Sequence, residues 1–234
     1  MIEIKNLTKK FGGRLVLDNL SFSAARGEIL GFLGPNGAGK TTTMKIITSF
    51  WPATSGSVLI DGIDTAANSL ASRKKIGYLP ETVPLYEDMK VVEYLKFIAE
   101  IRGLAKSQIK PRLKEVAATC GLAKVWRSPI EELSKGFRQR VGLAQAIMHQ
   151  PDILILDEPT TGLDPNQIVE IRDLIKNIGR EKTVIFSTHI LSEVSATCDR
   201  VIIINNGRIA GQGAPSELVN AYGNLEQAFR ELTK

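Results

Sequence analysis

No apolar run in the chain approaches the roughly 20 residues needed to cross a bilayer, so any membrane role has to pass through a partner. The opening stretch, Met1 to Gly13, lacks an apolar core and a cleavage site and does not read as a secretory signal. There are only two cysteines, Cys120 and Cys198, far apart and outside any metal-ligand spacing. They read as free thiols of a reducing compartment, which excludes a disulfide-stapled domain. Internal repeats, low-complexity tracts and sustained heptads are absent as well. What remains, in 234 residues with 43% hydrophobic and 24% charged side chains, is an ordinary globular composition with enough chain to bury a real core.

Periodicity divides the chain into two textures. The first thirty residues alternate apolar and polar, as at Ile2/Ile4 and Leu20/Phe22, and read as antiparallel strands. Glu28–Leu33 is a short apolar strand running into a glycine-rich loop, and Lys40–Phe50 then reads as a helix. Val58–Ile60 with Asp61-Gly62 is a strand and turn, and Ile76–Leu79 is another strand. From Val91 to His149 the spacing becomes helical, with Val92, Leu95, Ile98 and Ala99 on one face. Gly103 and Gly121 are natural helix stops there, and Ser107 a start. Ile153–Leu156 is wholly apolar and reads as a buried parallel strand. Thr183–Ser187 and Arg200–Ile204 are further strands, Asn206-Gly207 a hairpin turn, and the tail from Leu225 a short amphipathic helix. The sum is an α/β fold: a parallel-sheet core from 1–85 and 150–234, an antiparallel β part at its start, and an inserted helical segment at 86–149.

Net charge is +5. The helical segment carries all of it, with twelve Lys/Arg against seven Asp/Glu between Tyr86 and His149. Three readings stay open on charge alone: a solvated helical surface, a face turned to a membrane protein or anionic headgroups, and a nucleic-acid surface.

Two motifs carry chemistry. Gly34-Pro35-Asn36-Gly37-Ala38-Gly39-Lys40-Thr41, followed by Thr42, matches G-x-x-x-x-G-K-[ST] between a strand and a helix. Its glycines let backbone N–H groups wrap a phosphate, with the positive helix end behind them. Lys40 supplies a compact charge to the β/γ phosphates, and Thr41 can ligate Mg²⁺. Ile153–Leu156 then ends in Asp157-Glu158, which puts two carboxylates at the edge of the sheet where ligands bind. Asp157 is placed to orient Mg²⁺, and Glu158 to act as a base on the attacking water.

Further motifs make the resemblance specific. Leu133-Ser134-Lys135-Gly136-Phe137-Arg138-Gln139-Arg140 resembles the signature sequence of ABC ATPases and stands shortly before Asp157-Glu158, as in that family. Thr161-Gly162-Leu163-Asp164 looks like its D-loop, His189 like its switch histidine, and Phe11 falls where the family places an aromatic against adenine. The resemblance spans essentially the whole chain. Within the family, the stretch from Ile76 to Tyr86 and the Leu-Ser-Lys-Gly signature look like bacterial export-type, gliding-motility-associated ATPases.

The resemblance implies a P-loop NTPase core and the ATP-binding, ATP-hydrolysing subunit of a transporter. Such subunits pack head to tail as a dimer, here a homodimer, around two ATP molecules with Mg²⁺. Ser134 and Gly136 of one subunit face the γ-phosphate held by the other, and His189 steadies phosphate and water. A separate transmembrane permease is the implied partner, at the cytoplasmic face of the cell membrane, with no nucleic acid. The rival reading is a soluble ABC ATPase acting on ribosomes or nucleic acid. It is disfavoured because DNA-repair members insert long coiled coils and translation-type members carry two ATPase domains. Two departures stand out. Glu81 occupies the place of the family's glutamine, a Mg²⁺ contact at the junction with the helical insertion, and Lys135 and Phe137-Arg138 replace the usual signature residues. His149 has no such company and reads as structural.

Overall fold

The computed structural model describes residues 1–234 and contains two sheets. Strands β1 (Ile2–Phe11) and β2 (Arg14–Ala24) form an antiparallel hairpin, and β4 (Ser55–Ile60) and β5 (Ile63–Asp64) extend it in the order β2-β1-β4-β5. Alternation aims Ile2 and Ile4 of β1 and Leu20, Phe22 and Ala24 of β2 into the core, and an irregularity at Asn19, with φ 57°, resets the pattern so that Leu17 is buried as well.

The second sheet comprises β3 (Ile29–Leu33), β6 (Ile76–Leu79), β7 (Ile153–Asp157), β8 (Thr183–Thr188), β9 (Arg200–Asn205) and β10 (Arg208–Gly213). Its order is β10-β9-β3-β8-β7-β6, parallel except for β10, which returns antiparallel through Asn206-Gly207. Every residue of β3, β7 and β8 is buried. That is why these strands read as unbroken apolar runs: both faces of a parallel sheet are covered.

Helix α1 (Lys40–Ile47) follows β3 and packs between the two sheets, where Met44 and Ile47 join Ile2, Phe32 and Ile155 in one apolar cluster. Between β6 and β7 come α3 (Val91–Ile101), α4 (Lys106–Thr119) and α5 (Lys135–Ile147). Their apolar faces, including Leu95, Val116 and Leu143, form a second cluster continuous with Leu156 and Phe186 of the sheet and with α6 (Pro165–Gly179). Each fully buried side chain of this kind contributes about 1.5–3 kcal/mol. The insertion is therefore packed on the core through shared apolar contacts. Helices α7 (Leu191–Thr197), α8 (Pro215–Tyr222) and α9 (Leu225–Leu232) follow, with Leu218, Leu225 and Ala228 closing a third cluster over β9.

Some expectations shift in detail. Helix α1 stops at Ile47 rather than Phe50, because Ser49 turns left-handed at φ 57° and Phe50 N–H folds back to Lys45 O at 2.8 Å. Gly103 and Gly121, at φ 77° and 65°, follow α3 and α4 as stops, but α4 begins at Lys106, one residue before the expected Ser107. Helix α2 (Ser69–Lys74) and α8 are additions: α2 buries only Ser72 and α8 only Leu218, so neither carries an apolar stripe that spacing would reveal. The basic excess is not all at the surface. Arg112 is 8% exposed and donates to the Met148 and Ile147 carbonyls, closing the C-terminal end of α5 where a cation is favoured. Arg138 pairs with Glu87 at 3.0 Å and Arg140 with Glu170 at 2.5 Å.

Candidate functional site

The C-terminal ends of β3, β7 and β8 open onto one cavity of about 500 Å³. The loop from Gly34 to Gly39 forms its floor. Gly39 sits at φ 111°, and a Cβ there would lie 2.5 Å from a Leu17 methyl, so both backbone and space require glycine. Gly34 has the second requirement alone, since a Cβ would meet Ile204 O at 2.5 Å. Lys40 is 6% exposed. Its Nζ donates to Gly34 O at 2.8 Å and lies 3.2 Å from Glu158 Oε1.

Asp157 is fully buried. Oδ1 accepts from Ser187 Oγ at 2.6 Å and from Thr41 Oγ1 at 3.2 Å, while Oδ2 is buried with no partner. Burial pushes its carboxyl above the usual range, the two hydroxyl bonds pull it back, and nearby Glu158 and Glu81 push it up again. A buried carboxylate oxygen with no donor, beside a threonine hydroxyl and facing a second acid, is an oxygen-donor set suited to a hard divalent cation.

Glu158 adopts φ 49°, an uncommon backbone for a residue with a side chain. Its N–H donates to Ser187 O at 3.2 Å and to Ser187 Oγ at 3.0 Å, which holds the turn. Its side chain sits between Lys40 and the switch-histidine candidate: Oε2 is 2.9 Å from His189 Nδ1 and accepts from Thr161 Oγ1 at 3.2 Å. Glu81 lines the same cavity with an exposed side chain. Tyr78, below it on β6, keeps a hydroxyl with no partner. Burial raises that hydroxyl well above its ordinary value, and the charges of Asp157 and Glu81 add to the rise.

The structure brings Asn36, Gly37, Gly39, Lys40, Thr41, Thr42, Glu81, Glu158 and His189 onto this cavity. Ser134 and Gly136 are elsewhere. Ser134 caps α5, its Oγ accepting from Phe137 N at 3.4 Å, and with Gly136 and Arg140 it lines a separate hollow of about 380 Å³. Phe11 does not line the phosphate cavity either. Its ring lies 5.0 Å from that of Trp51, edge to face, with Lys9 Nζ 4.7 Å above it. Sequence reasoning missed Arg14 and Val16, which face the cavity from β2. Arg14 pairs with Phe11 across the hairpin, so only the strand register reveals it. His149 Nε2 meets Ile76 O at 3.0 Å. Burial first, then the charge of Arg102, lowers its pKa to about 4, so it is a neutral structural group.

The model of the ABC transporter family matches residues 17–161. The chain is 41% identical to the ABC transporter ATP-binding protein YhcH of Bacillus subtilis over 211 residues, covering 89% of this chain and 68% of that protein. It is 38% identical to the lantibiotic transport ATP-binding protein SrtF of Streptococcus pyogenes, covering 98% and 96% of the two. Among solved structures, the dimeric post-hydrolysis state of the ATP-binding cassette MJ0796 with ADP and Pi superposes with a TM-score of 0.82 at 27% identity, covering 92% of this chain and 98% of that one. The phosphate loop after β3, the paired acids ending β7 and these likenesses have one meaning: the chain belongs to the ABC transporter family, as an ATP-binding subunit with the ATPase fold.

Proposed function

We propose that this ATPase works as a homodimer closing around two Mg·ATP and drives export through a separate transmembrane permease. The observation that carries the dimer is the division of the site. Lys40, Glu158 and His189 share one cavity, whereas Ser134 and Gly136 open onto another. A second chain packed head to tail brings the start of α5 to the first chain's γ-phosphate. The positive end of a helix stabilises an anion there by up to about 2 kcal/mol.

The residues then divide the work. The loop amides from Gly34 to Gly39 and Lys40 grip the phosphates. Lys40 Nζ lies 2.8 Å from Gly34 O and 3.2 Å from Glu158 Oε1, close enough to the candidate base for one γ-phosphate to meet both, with Glu158 polarising the water. His189, already 2.9 Å from Glu158, orients water and γ-phosphate. Thr41, Asp157 and Glu81 are the residues that would hold Mg²⁺, whose charge offsets that of the phosphates. Phe11, whose ring is partly exposed beside Trp51, is the aromatic platform proposed for adenine. Residues 1–85 and 150–234 form the nucleotide core, and 86–149 the subdomain that meets the permease.

Export is the direction proposed; SrtF's name states lantibiotic transport, and two further relatives are named for linearmycin resistance and for multidrug transport. The chain itself has no helix long and apolar enough to cross a membrane, which fits a peripheral place on the cytoplasmic face. Reversing Arg102, Lys106 and Lys110 to glutamate tests the docking. Assembly with native membranes should weaken while basal ATPase activity stays intact. Tight, salt-sensitive binding to RNA or DNA that the same changes abolish would instead favour the ribosome or nucleic-acid class.

A further inference from the structure

Glu193 is a buried acid that the chemistry above leaves unused. It lies in α7, is 2% exposed and does not line the nucleotide cavity. No lysine, arginine or histidine nitrogen pairs with it. Its carboxylate is satisfied instead by two hydroxyls: Thr160 Oγ1 donates to Oε1, and Thr188 Oγ1 donates to Oε2 at 2.6 Å. Both threonines are buried, Thr160 at 3% and Thr188 at 0% exposure. Thr188 Oγ1 in turn accepts from Ile190 N at 3.0 Å.

The positions matter more than the count. Thr160 is two residues after Glu158. Thr188 and Ile190 flank His189. One carboxylate thus ties the turn after the candidate base to the end of β8 just before the candidate switch histidine, the two residues that meet at 2.9 Å. A carboxylate accepts on both oxygens, whereas an amide offers one acceptor and one donor. Burying a charge merely to fill space is unfavourable against an apolar residue of equal volume, so a structural filler would not need it.

We propose that Glu193 is a positioning residue for hydrolysis: it holds the loops of Glu158 and His189 in register, so that the pair addresses one water. The proposal rests on the reading of Glu158 and His189 given under Proposed function.

The test uses the full chain with Glu193→Gln and Thr160→Val, each alone and combined with His189→Ala, in steady-state and single-turnover ATPase assays. Each single variant should lower kcat about tenfold or more and leave KM for Mg·ATP within about twofold, the pattern of a lost transition-state contact. In the His189→Ala background the same changes should alter kcat less than about twofold, because groups acting through one another are non-additive. Thr160→Ser, which keeps the hydroxyl, should restore turnover. If Glu193→Gln does not fold, the Thr160 pair carries the same comparison. Equal fold-losses in both backgrounds, or unchanged kcat, overturn the role of Glu193 while the catalytic reading stands. Full turnover by His189→Ala overturns that reading, and this role with it.

Discussion

Ser187→Ala removes one hydroxyl with two duties. Its Oγ donates to Asp157 Oδ1 at 2.6 Å and accepts from Glu158 N at 3.0 Å. Glu158 N keeps a second acceptor in Ser187 O at 3.2 Å, so the damage falls on Asp157. That acid is fully buried, its Oδ2 already lacks a donor, and only Thr41 Oγ1 would remain on Oδ1. Losing a hydrogen bond to a buried charged group costs about 2 kcal/mol. For a chain of this size that lowers Tm by about 4–8 °C. The loss should depend on pH, and its sign follows from proton binding. Burial raises the folded-state pKa of Asp157 above its unfolded value, so the native form binds the proton more tightly. Stability from this group therefore falls as pH rises from about 4, the unfolded value, through the folded one. Removing the Ser187 bond, which lowers that pKa, widens the gap. The deficit of Ser187→Ala should be small near pH 4, grow as pH rises and level off above the folded pKa. Thermal unfolding followed by circular dichroism from pH 4 to 8 reads it directly. A deficit below about 0.5 kcal/mol, within the range of an ordinary surface change, would refute the reasoning. So would one that shrinks with rising pH.

Two further outcomes follow from the site. Ser134→Arg should leave ATP binding by the single subunit within about twofold, since Lys40 and the loop amides lie in a different cavity, and should block ATP-induced dimerisation in sedimentation; unimpaired dimers would exclude Ser134 from a shared site. Glu81→Ala should weaken the dependence of ATP turnover on Mg²⁺, whereas Glu81→Gln, which keeps an oxygen ligand, should preserve it. Identical Mg²⁺ titrations for wild type and Glu81→Ala would make Glu81 a bystander.

Legibility in the sequence followed the range of the interactions. The phosphate loop was readable because its chemistry lies in consecutive residues, with glycine required at Gly39 by both φ and space. The acids ending β7 were readable because a strand buried on both faces leaves an unbroken apolar run before them. The helical segment announced itself through one-sided apolar spacing, which α3–α5 bury in a common cluster. Contacts between distant segments left no such mark. Arg14 reaches the cavity only through the β1–β2 register, Ser187 reaches Asp157 only because β7 and β8 are neighbours, and Arg112 closes α5 from another helix. Arg112 counts among the twelve basic residues of the segment, yet it is a buried cap and not an exposed charge.

Glu158→Gln tests the central claim most directly, because that side chain touches both Lys40 and His189. Turnover and molecular mass are measured together on the purified chain with Mg·ATP, by phosphate release and light scattering. The account predicts a fall in turnover of about 10²–10⁴-fold, as expected for a lost general base. It also predicts unimpaired ATP binding, since Lys40 and the loop amides that grip the phosphates are unchanged, and a stable ATP-bound dimer. Near-normal hydrolysis, or a chain that binds ATP and stays monomeric, would contradict it.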